Sequence, residues 1–302
     1  MEKIVATLKH QPFMKQVMHH YRDAEVAISS IAVAYYLILT IFPFLVLLAN
    51  LFPYFHIDTN QLLTFLKANL PAELYHRTAG LVLSVFDKPS TSLLWLAIVT
   101  GIWTMSRSML FLEKAMNKAY GVKEHRDVVL GYLVGMLSSL LIVFFLVLAI
   151  LLSTFGKTAL RLLYQQMHFK PILYHWLMYL TQPVTALVFF IALSVLYFIL
   201  PNVKIHKIRY VLPGSCFATL VFMIFTSLFG SYVNYTIDRM ENLRIFGSVT
   251  VFAIMLWVIF FARILIDGAV LNASYQACSG QPFETRRDNV IQIIQSRREE
   301  RQ

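Results

Sequence analysis

The chain has 302 residues, of which 58% are apolar and only 14% are charged, whereas charged residues make up about a quarter of a soluble globular domain. Its mean hydropathy is +0.64. A net charge of +10 in so apolar a chain is typical of cytoplasmic loops that face anionic lipid, rather than of nucleic-acid binding. The composition excludes an ordinary soluble enzyme and predicts an integral membrane protein.

Six apolar segments are long enough to cross the ~30 Å hydrocarbon core of a bilayer as helices. They lie at about 28–52, 92–112, 128–153, 183–200, 211–233 and 246–273. Pro43 inside the first segment removes a backbone hydrogen bond and predicts a kink, while Pro183 is placed at the opening turn of the fourth. The second segment is the weakest. The sequence predicts an all-α membrane protein, a bundle of six transmembrane helices over residues 28–273.

The distribution of Lys and Arg between these segments predicts their orientation. The N-terminal segment 1–27, residues 113–127, residues 201–210 and the tail 274–302 together carry 16 of the 26 basic residues. The alternate segments carry eight, spread over longer loops, and the remaining two lie inside spans. The excess places both chain ends in the cytoplasm, with 274–302 as a basic cytoplasmic tail.

Two of the outer segments, 60–86 and 154–182, each have an apolar face, but the segments are too polar overall to cross a membrane. They predict amphipathic helices in the extracytoplasmic loops, with the third span continuing outward as one long helix. These helices either cap the bundle at the interface or form a gate or docking surface for a partner.

No pattern of catalytic or metal-binding residues is present. All nine histidines lie outside the apolar segments, and none forms the spacing that brings metal ligands onto one centre. The two cysteines suggest neither a disulfide framework nor a cluster, and no phosphate-binding or nucleophile motif occurs. We expect no enzyme activity, no metal and no cofactor.

Charged residues inside the spans are more informative, because charge is costly in hydrocarbon. Arg263 and Asp267 stand four residues apart on the sixth span, so their side chains can meet on one helical face. The pair either neutralises itself to stabilise the bundle or marks a polar pathway or headgroup contact. Arg107 lies near the cytoplasmic end of the second span, where it either extends to the interface or joins that pathway.

Small residues at four-residue steps allow helices to approach closely, within one chain or between protomers. The steps fall on the third and sixth spans, at Gly131, Gly135, Ser139, Ala269 and Ala273.

Several stretches resemble the YihY/BrkB family of bacterial membrane proteins across nearly the whole chain. They are AYYLILTIFPFL at 34–45, GIWTMSRSMLFLEKAMNKAYGV at 101–122, YFILPN at 197–202, LPGS at 212–215 and FGSVTVFAIMLWVIFFARILIDGAVLNA at 246–273.

The resemblance implies a six-helix protein of the bacterial cytoplasmic (inner) membrane, in a family once labelled ribonuclease BN, a label generally regarded as a misassignment. It implies links to serum resistance in some members and a role for related proteins as transporters, including of envelope lipids. The chain departs from the family at Phe246, where a Tyr is common, and at Val270, where an acid is common. Asp267 lies on nearly the same helical face, three residues earlier, so the role that the resemblance implies for the acid depends on Asp267 supplying it.

Two functions follow as hypotheses. The first is a transporter or lipid-translocating protein with a polar route near Arg107, Arg263, Asp267 and Asn272. The second is a non-transporting scaffold that organises envelope machinery through its outer helices and basic loops. We expect membrane lipids as partners, anionic at the cytoplasmic loops, and no nucleic acid; the sequence leaves homo-oligomer formation and envelope protein partners open.

Overall fold

The computed structural model describes residues 12–51, 63–64, 79–80, 91–122, 126, 128–167, 171–237, 243–280 and 283–286. Seven α-helices lie within these ranges: α1 (Pro12–Asp23), α2 (Val26–Leu51), α3 (Thr91–Ala119), α4 (Val128–Met167), α5 (Pro171–Ile199), α6 (Leu212–Ile237) and α7 (Leu243–Cys278). A short 3₁₀ turn at Ile208–Tyr210 precedes α6. The described ranges contain no β-strand, only one isolated bridge between Val203 and Thr285.

Six of these helices, α2 to α7, are long and apolar enough to cross a membrane. The prediction of an all-α chain with six membrane-length helices is therefore confirmed. The predicted amphipathic helices of 60–86 lie outside the described residues, apart from helical residues 63–64 and 79–80.

The helices extend beyond the predicted segments at several ends. As expected, α4 continues beyond its apolar run as one helix to Met167. By contrast α5 begins at Pro171, so Pro183 lies inside the helix rather than at its first turn. A proline inside a membrane helix costs one backbone hydrogen bond, which neighbouring turns can compensate. Pro43 also lies inside a continuous helix, α2.

The N-terminal helix α1 was not predicted, because its sequence PFMKQVMHHYRD has no membrane-length apolar run. Its polar and apolar residues nevertheless segregate onto opposite faces. It packs along α7, where burial of its apolar face can supply the stability that a helix of 12 residues lacks alone.

The chain divides into two compact units, residues 35–105 and residues 1–34 with 106–302. In the first unit, α2 and α3 meet where Thr40 Oγ1 donates to Thr104 Oγ1 at 3.2 Å. A Cβ at Gly101 would stand 3.4 Å from that of Pro43. The absence of a side chain at Gly101 thus allows the two helices to touch beside the proline.

In the second unit α4 packs on α5, α5 on α6, and α6 on α7. An aromatic cluster joins the last three helices: Phe222 of α6 stacks on Phe189 of α5 at 4.8 Å and contacts Trp257 and Phe261 of α7. At one end of this unit, α1 lies together with the ends of α3, α5 and α7 and the start of α6. Residues 283–286, a segment that we call the strap, lie at the same end. About half of the buried polar side chains among the described residues lie at this end.

Candidate functional site

The predicted pair on α7 is stretched and partly exposed. Arg263 Nε lies 3.9 Å from Asp267 Oδ2, and the two side chains are 45% and 24% exposed. Arg263 also donates through Nη2 to the hydroxyl of Tyr21 on α1, at 2.9 Å. The Arg263 side chain therefore links α7 to the N-terminal helix at the surface of the second unit.

Asn272, one turn further along α7, is fully buried. Its Oδ1 accepts the backbone N–H of Gly214 at 2.6 Å, one of the amides that the first turn of α6 cannot satisfy within the helix. Any Cβ at Gly214 would overlap the Gly268 carbonyl oxygen, and any Cβ at Gly268 would overlap the Tyr197 hydroxyl. Two glycines thus permit a three-helix contact, which Tyr197 reinforces by donating to the Leu265 carbonyl at 2.9 Å.

The guanidinium of Arg107 lies 5.1 Å from the ring centre of Tyr132 on α4, a cation–π arrangement. The carboxamide of Asn272 is held by the start of α6, while Arg263 and Asp267 approach each other along α7. A single polar route through these four residues stays a prediction.

The predicted small-residue positions lie at helix contacts within the chain. Gly131 and Gly135 on α4 face α3, where an added Cβ would come within 2.9 Å of Leu110 Cδ1 and of the Ser106 carbonyl respectively. Ser139 is buried and donates to the carbonyl of Met136 in its own helix. Ala269 and Ala273 on α7 are both fully buried.

A buried ion pair that sequence reasoning missed lies at the convergent end. Arg126 Nη1 is 3.0 Å from Glu113 Oε1, and both side chains are 2% exposed. The same Nη1 also donates to the carbonyl of Leu200 at 2.8 Å. Glu113 lies on α3 and Arg126 beyond the turn that follows it, so no helical spacing relates them. We refer to Glu113, Arg126 and their neighbours Asn117 and Asn202 as the polar junction.

Asn117 and Asn202 extend the junction between chain segments. Asn117 Oδ1 accepts the backbone N–H of Asn202 at 2.7 Å. Arg286 of the strap donates to the Phe198 carbonyl at 2.8 Å, so two guanidinium groups, those of Arg126 and Arg286, bind the last carbonyls of α5. Cations at a helix C-terminus are favoured by its partial negative charge.

Several buried polar atoms at this end make no hydrogen bond. They include both side-chain polar atoms of Gln276, which is fully buried, Asn272 Nδ2 on the same helix and the Tyr120 hydroxyl just after α3. Natural proteins leave few such atoms unsatisfied, and an ordered water or a ligand is their usual partner. Their concentration near the ends of α3 and α7 makes this the most polar interior region that the structure describes.

A cavity of about 800 Å³ lies beside the junction, between α1, the turn after α3, the end of α7 and the strap. We call it the cap cavity. Its walls include His19, His20 and Asp23 of α1, Tyr120 of the turn and Phe283 of the strap.

The turn that contributes Tyr120 follows from local sequence. Gly121 has φ +70°, and the N–H groups of Gly121 and Val122 bond back to the carbonyls of Lys118 and Asn117. This is a Schellman ending, which glycine favours because it has no Cβ.

Burial controls the two most enclosed titratable groups of the cavity. It raises the pKa of the Tyr120 hydroxyl. It is also the main reason that the pKa of His20 lies below its ordinary value, with His19 adding to the effect and the Ala119 backbone and Asp23 opposing it. His20 is therefore largely neutral at pH 7. The described residues contain no group of three or more His, Cys, Asp or Glu side chains that could hold a metal ion.

Comparison with known proteins identifies the family. The family model described as "Virulence factor BrkB" matches residues 17–290, which span α1 to the strap. This chain belongs to the BrkB family. With its six membrane-length helices, it is a multi-pass membrane protein of that family.

A curated relative in Bacillus subtilis (strain 168), the ribonuclease-like protein YfkH, is 27% identical over 261 residues. The match covers 86% of this chain and 94% of the relative. No solved structure matches the chain significantly.

Proposed function

We propose that this BrkB-family protein is a transporter of the bacterial cytoplasmic membrane that moves an anionic envelope lipid, with both chain ends in the cytoplasm. The observation that carries the proposal is the set of buried polar atoms without hydrogen bonds near the end of the membrane-length helix α7, those of Gln276 and Asn272. Buried ionisable and polar groups in membrane helices are costly, and they commonly line the routes of ions and substrates.

A purely structural role explains this set less well. A scaffold can replace a buried polar side chain by an apolar one at little cost, whereas each unsatisfied polar atom costs about 1–3 kcal/mol. Water or a moving polar headgroup would satisfy these atoms. The region around Gln276 and Asn272, beside the polar junction, is thus suited to be the cytoplasmic entrance of a route.

The choice of an anionic lipid rests on the cations near that end. Arg263 is 45% exposed on the side of α7, where it can meet a headgroup while Asp267 moderates its charge. The basic segments predicted to face the cytoplasm attract anionic lipid to the same surface.

The test is lipid movement in vesicles. The purified full chain is reconstituted with phosphatidylethanolamine, phosphatidylglycerol and a trace of fluorescent phosphatidylglycerol, and dithionite reports how fast the inner-leaflet probe reaches the outside. We expect faster loss of protected fluorescence than in vesicles without protein. Equal rates in vesicles that contain folded protein would contradict transport of this lipid and favour the scaffold.

Variants of the α7 pair then test the headgroup contact. Arg263→Ala and Asp267→Asn should slow lipid movement, whereas Ser231→Ala, which removes an exposed hydroxyl bonded to the Ser227 carbonyl of its own helix, should not. Unchanged rates in both α7 variants would remove the pair from the route.

A further inference from the structure

The cap cavity has an exposed rim and a buried floor. At its rim, His19 and Asp23 approach each other at 3.4 Å with most of the His19 side chain exposed. At its floor, Tyr120 is 1% and His20 5% exposed. A volume of about 800 Å³ is within the range of small-molecule sites, and this one is built from four separate chain segments.

The electrostatics of the cavity favour a cation. Among the residues that line it, Asp23 is the one carboxylate, and no lysine or arginine is present. Three helices end at or next to its walls: α1 at Asp23, α3 at Ala119 and α7 at Cys278. Each helix C-terminus carries a partial negative charge of about half an electron, so three of them reinforce the carboxylate.

The floor offers hydrogen-bond acceptors that the protein itself leaves unused. The Tyr120 hydroxyl is buried without a hydrogen bond, and the His20 ring, although close to the Ala119 backbone, makes none of good geometry. Phe283 stands edge-on to both rings, with ring centres 5.6 Å from Tyr120 and 5.9 Å from His20. Acceptors beside aromatic rings and a carboxylate match an ammonium group that still carries N–H donors.

We propose that the cap cavity binds a primary ammonium group, with Asp23 as its counter-charge and Tyr120 and His20 as acceptors. The group belongs either to a free amine or to an aminated lipid headgroup, since both present the same chemistry. A bare metal ion does not fit as well, because the described residues include no cluster of three metal-ligating side chains. The site lies beside the ends of α1, α3 and α7, and it does not depend on the transport proposal.

The charge state of the floor gives the site a pH dependence. The titratable groups that face His20 are His19 and Asp23 on its own helix and Tyr120 across the cavity, while the strap contributes Phe283 and Thr285 and α7 contributes Ala277, none of which titrates. Because the pKa of His20 lies below 6.5, its ring accepts a hydrogen bond at pH 7. Protonation at lower pH repels an ammonium ion, so affinity falls as the solution becomes acidic.

The first experiment is calorimetric titration of the detergent-solubilised full chain at pH 7.5 with ethanolamine, tetramethylammonium and glycolate. We expect saturable binding of ethanolamine, weaker binding of tetramethylammonium because it has no N–H donor, and none of glycolate. Asp23→Asn should weaken ethanolamine binding about tenfold, because it removes a charge-assisted hydrogen bond. The matched control Glu25→Gln changes a nearby carboxylate that pairs with Lys118 outside the cavity and should have no effect.

A second variant keeps the result interpretable if Asp23→Asn folds poorly. Tyr120→Phe removes only a hydroxyl that bonds to nothing, so the fold should be retained while ethanolamine binding weakens. Tyr179→Phe, at an exposed tyrosine, is its control. Absence of ethanolamine binding, preference for glycolate, or equal affinity of both variants and wild type would overturn the proposal.

The source of the ammonium group is decided by comparing ethanolamine with short-chain phosphatidylethanolamine. Comparable affinity identifies a free amine, whereas much tighter binding of the lipid, still sensitive to Asp23→Asn, identifies a headgroup; each result supports the site. Since binding is measured without any lipid movement, this proposal and the transport proposal can fail separately.

Discussion

Two ion pairs of the second unit, Glu113–Arg126 and Arg263–Asp267, differ in almost every physical respect. Glu113 and Arg126 meet at 3.0 Å with 2% of each side chain exposed, whereas Arg263 and Asp267 stand 3.9 Å apart with 45% and 24% exposed. The first pair joins two chain segments and caps α5, while the second lies along one helix and reaches out to Tyr21. The comparison teaches that the buried pair holds chain segments together at the end of α5, whereas the exposed pair leaves part of both side chains uncovered by the protein.

The largest expected effect comes from breaking the buried pair. Glu113→Gln leaves the Arg126 charge without its partner in a dry setting, so we expect the free energy of unfolding to fall by about 3–5 kcal/mol. The measurement is an unfolding titration with SDS in mixed micelles. Glu25→Gln, which breaks the exposed pair with Lys118, should cost at most about 1 kcal/mol. Similar losses in the free energy of unfolding in the two variants would contradict the difference between a buried and an exposed pair.

The helix contact that supports the junction gives the next largest effect. Gly214→Ala introduces a Cβ that overlaps the Gly268 carbonyl oxygen, and overpacking of this kind costs about 1–3 kcal/mol or more. Gly230→Ala on the same helix, where an added Cβ meets nothing within 4 Å, should be neutral or slightly stabilising. Thermal unfolding midpoints of the two variants check the difference, and equal midpoints would show that α6 and α7 do not approach so closely.

The exposed pair should matter little for stability. Asp267→Asn removes a stretched, partly solvated contact, so we expect a change of at most about 1 kcal/mol, measured in the same SDS titration. A loss as large as that of Glu113→Gln would mean that the α7 pair is as much a part of the framework as the buried one. A small loss, together with slower lipid movement, would separate a functional contact from a structural one.

The smallest expected effect is the pH dependence contributed by His20. Its pKa in the folded protein lies below the unfolded value of 6.5, so the unfolded state binds more protons in acid. This contribution to stability is therefore complete above pH 6.5 and is lost as the pH falls through the folded pKa. The unfolding midpoint of wild type should drop more between pH 7.5 and 5 than that of His20→Gln, and His19→Gln is the control. Parallel pH curves for wild type and His20→Gln would contradict a contribution from His20.

The spans could be predicted from the sequence because each is a continuous apolar run, a local property. Gly135 could likewise be marked as a small residue of α4, since helical spacing is local too. The α7 pair was found for the same reason. Glu113 and Arg126 could not be paired, because the turn at Gly121 separates them and their meeting depends on where α5 ends.

Other features depended on tertiary contacts that no local pattern encodes. Arg126 reads as one of several basic loop residues, yet its guanidinium is buried against the end of α5. The nearest local signal was the spacing of Glu113 and Asn117 among the buried apolar residues of α3, which places two polar side chains on an inward face. The strap was missed because its structure comes from contacts with residues 198–204.

The most direct test of the transport account is the lipid-movement rate of Gln276→Met in proteoliposomes. Both polar atoms of this buried side chain lack hydrogen bonds, so an apolar residue of similar shape should leave stability equal or higher. The control is Ser274→Ala, which loses only a hydroxyl bonded at 2.7 Å to the Val270 carbonyl of its own helix. The account predicts that Gln276→Met slows lipid movement while Ser274→Ala does not; a Gln276→Met protein that moves lipid at the wild-type rate would contradict a polar route through this end of the helices.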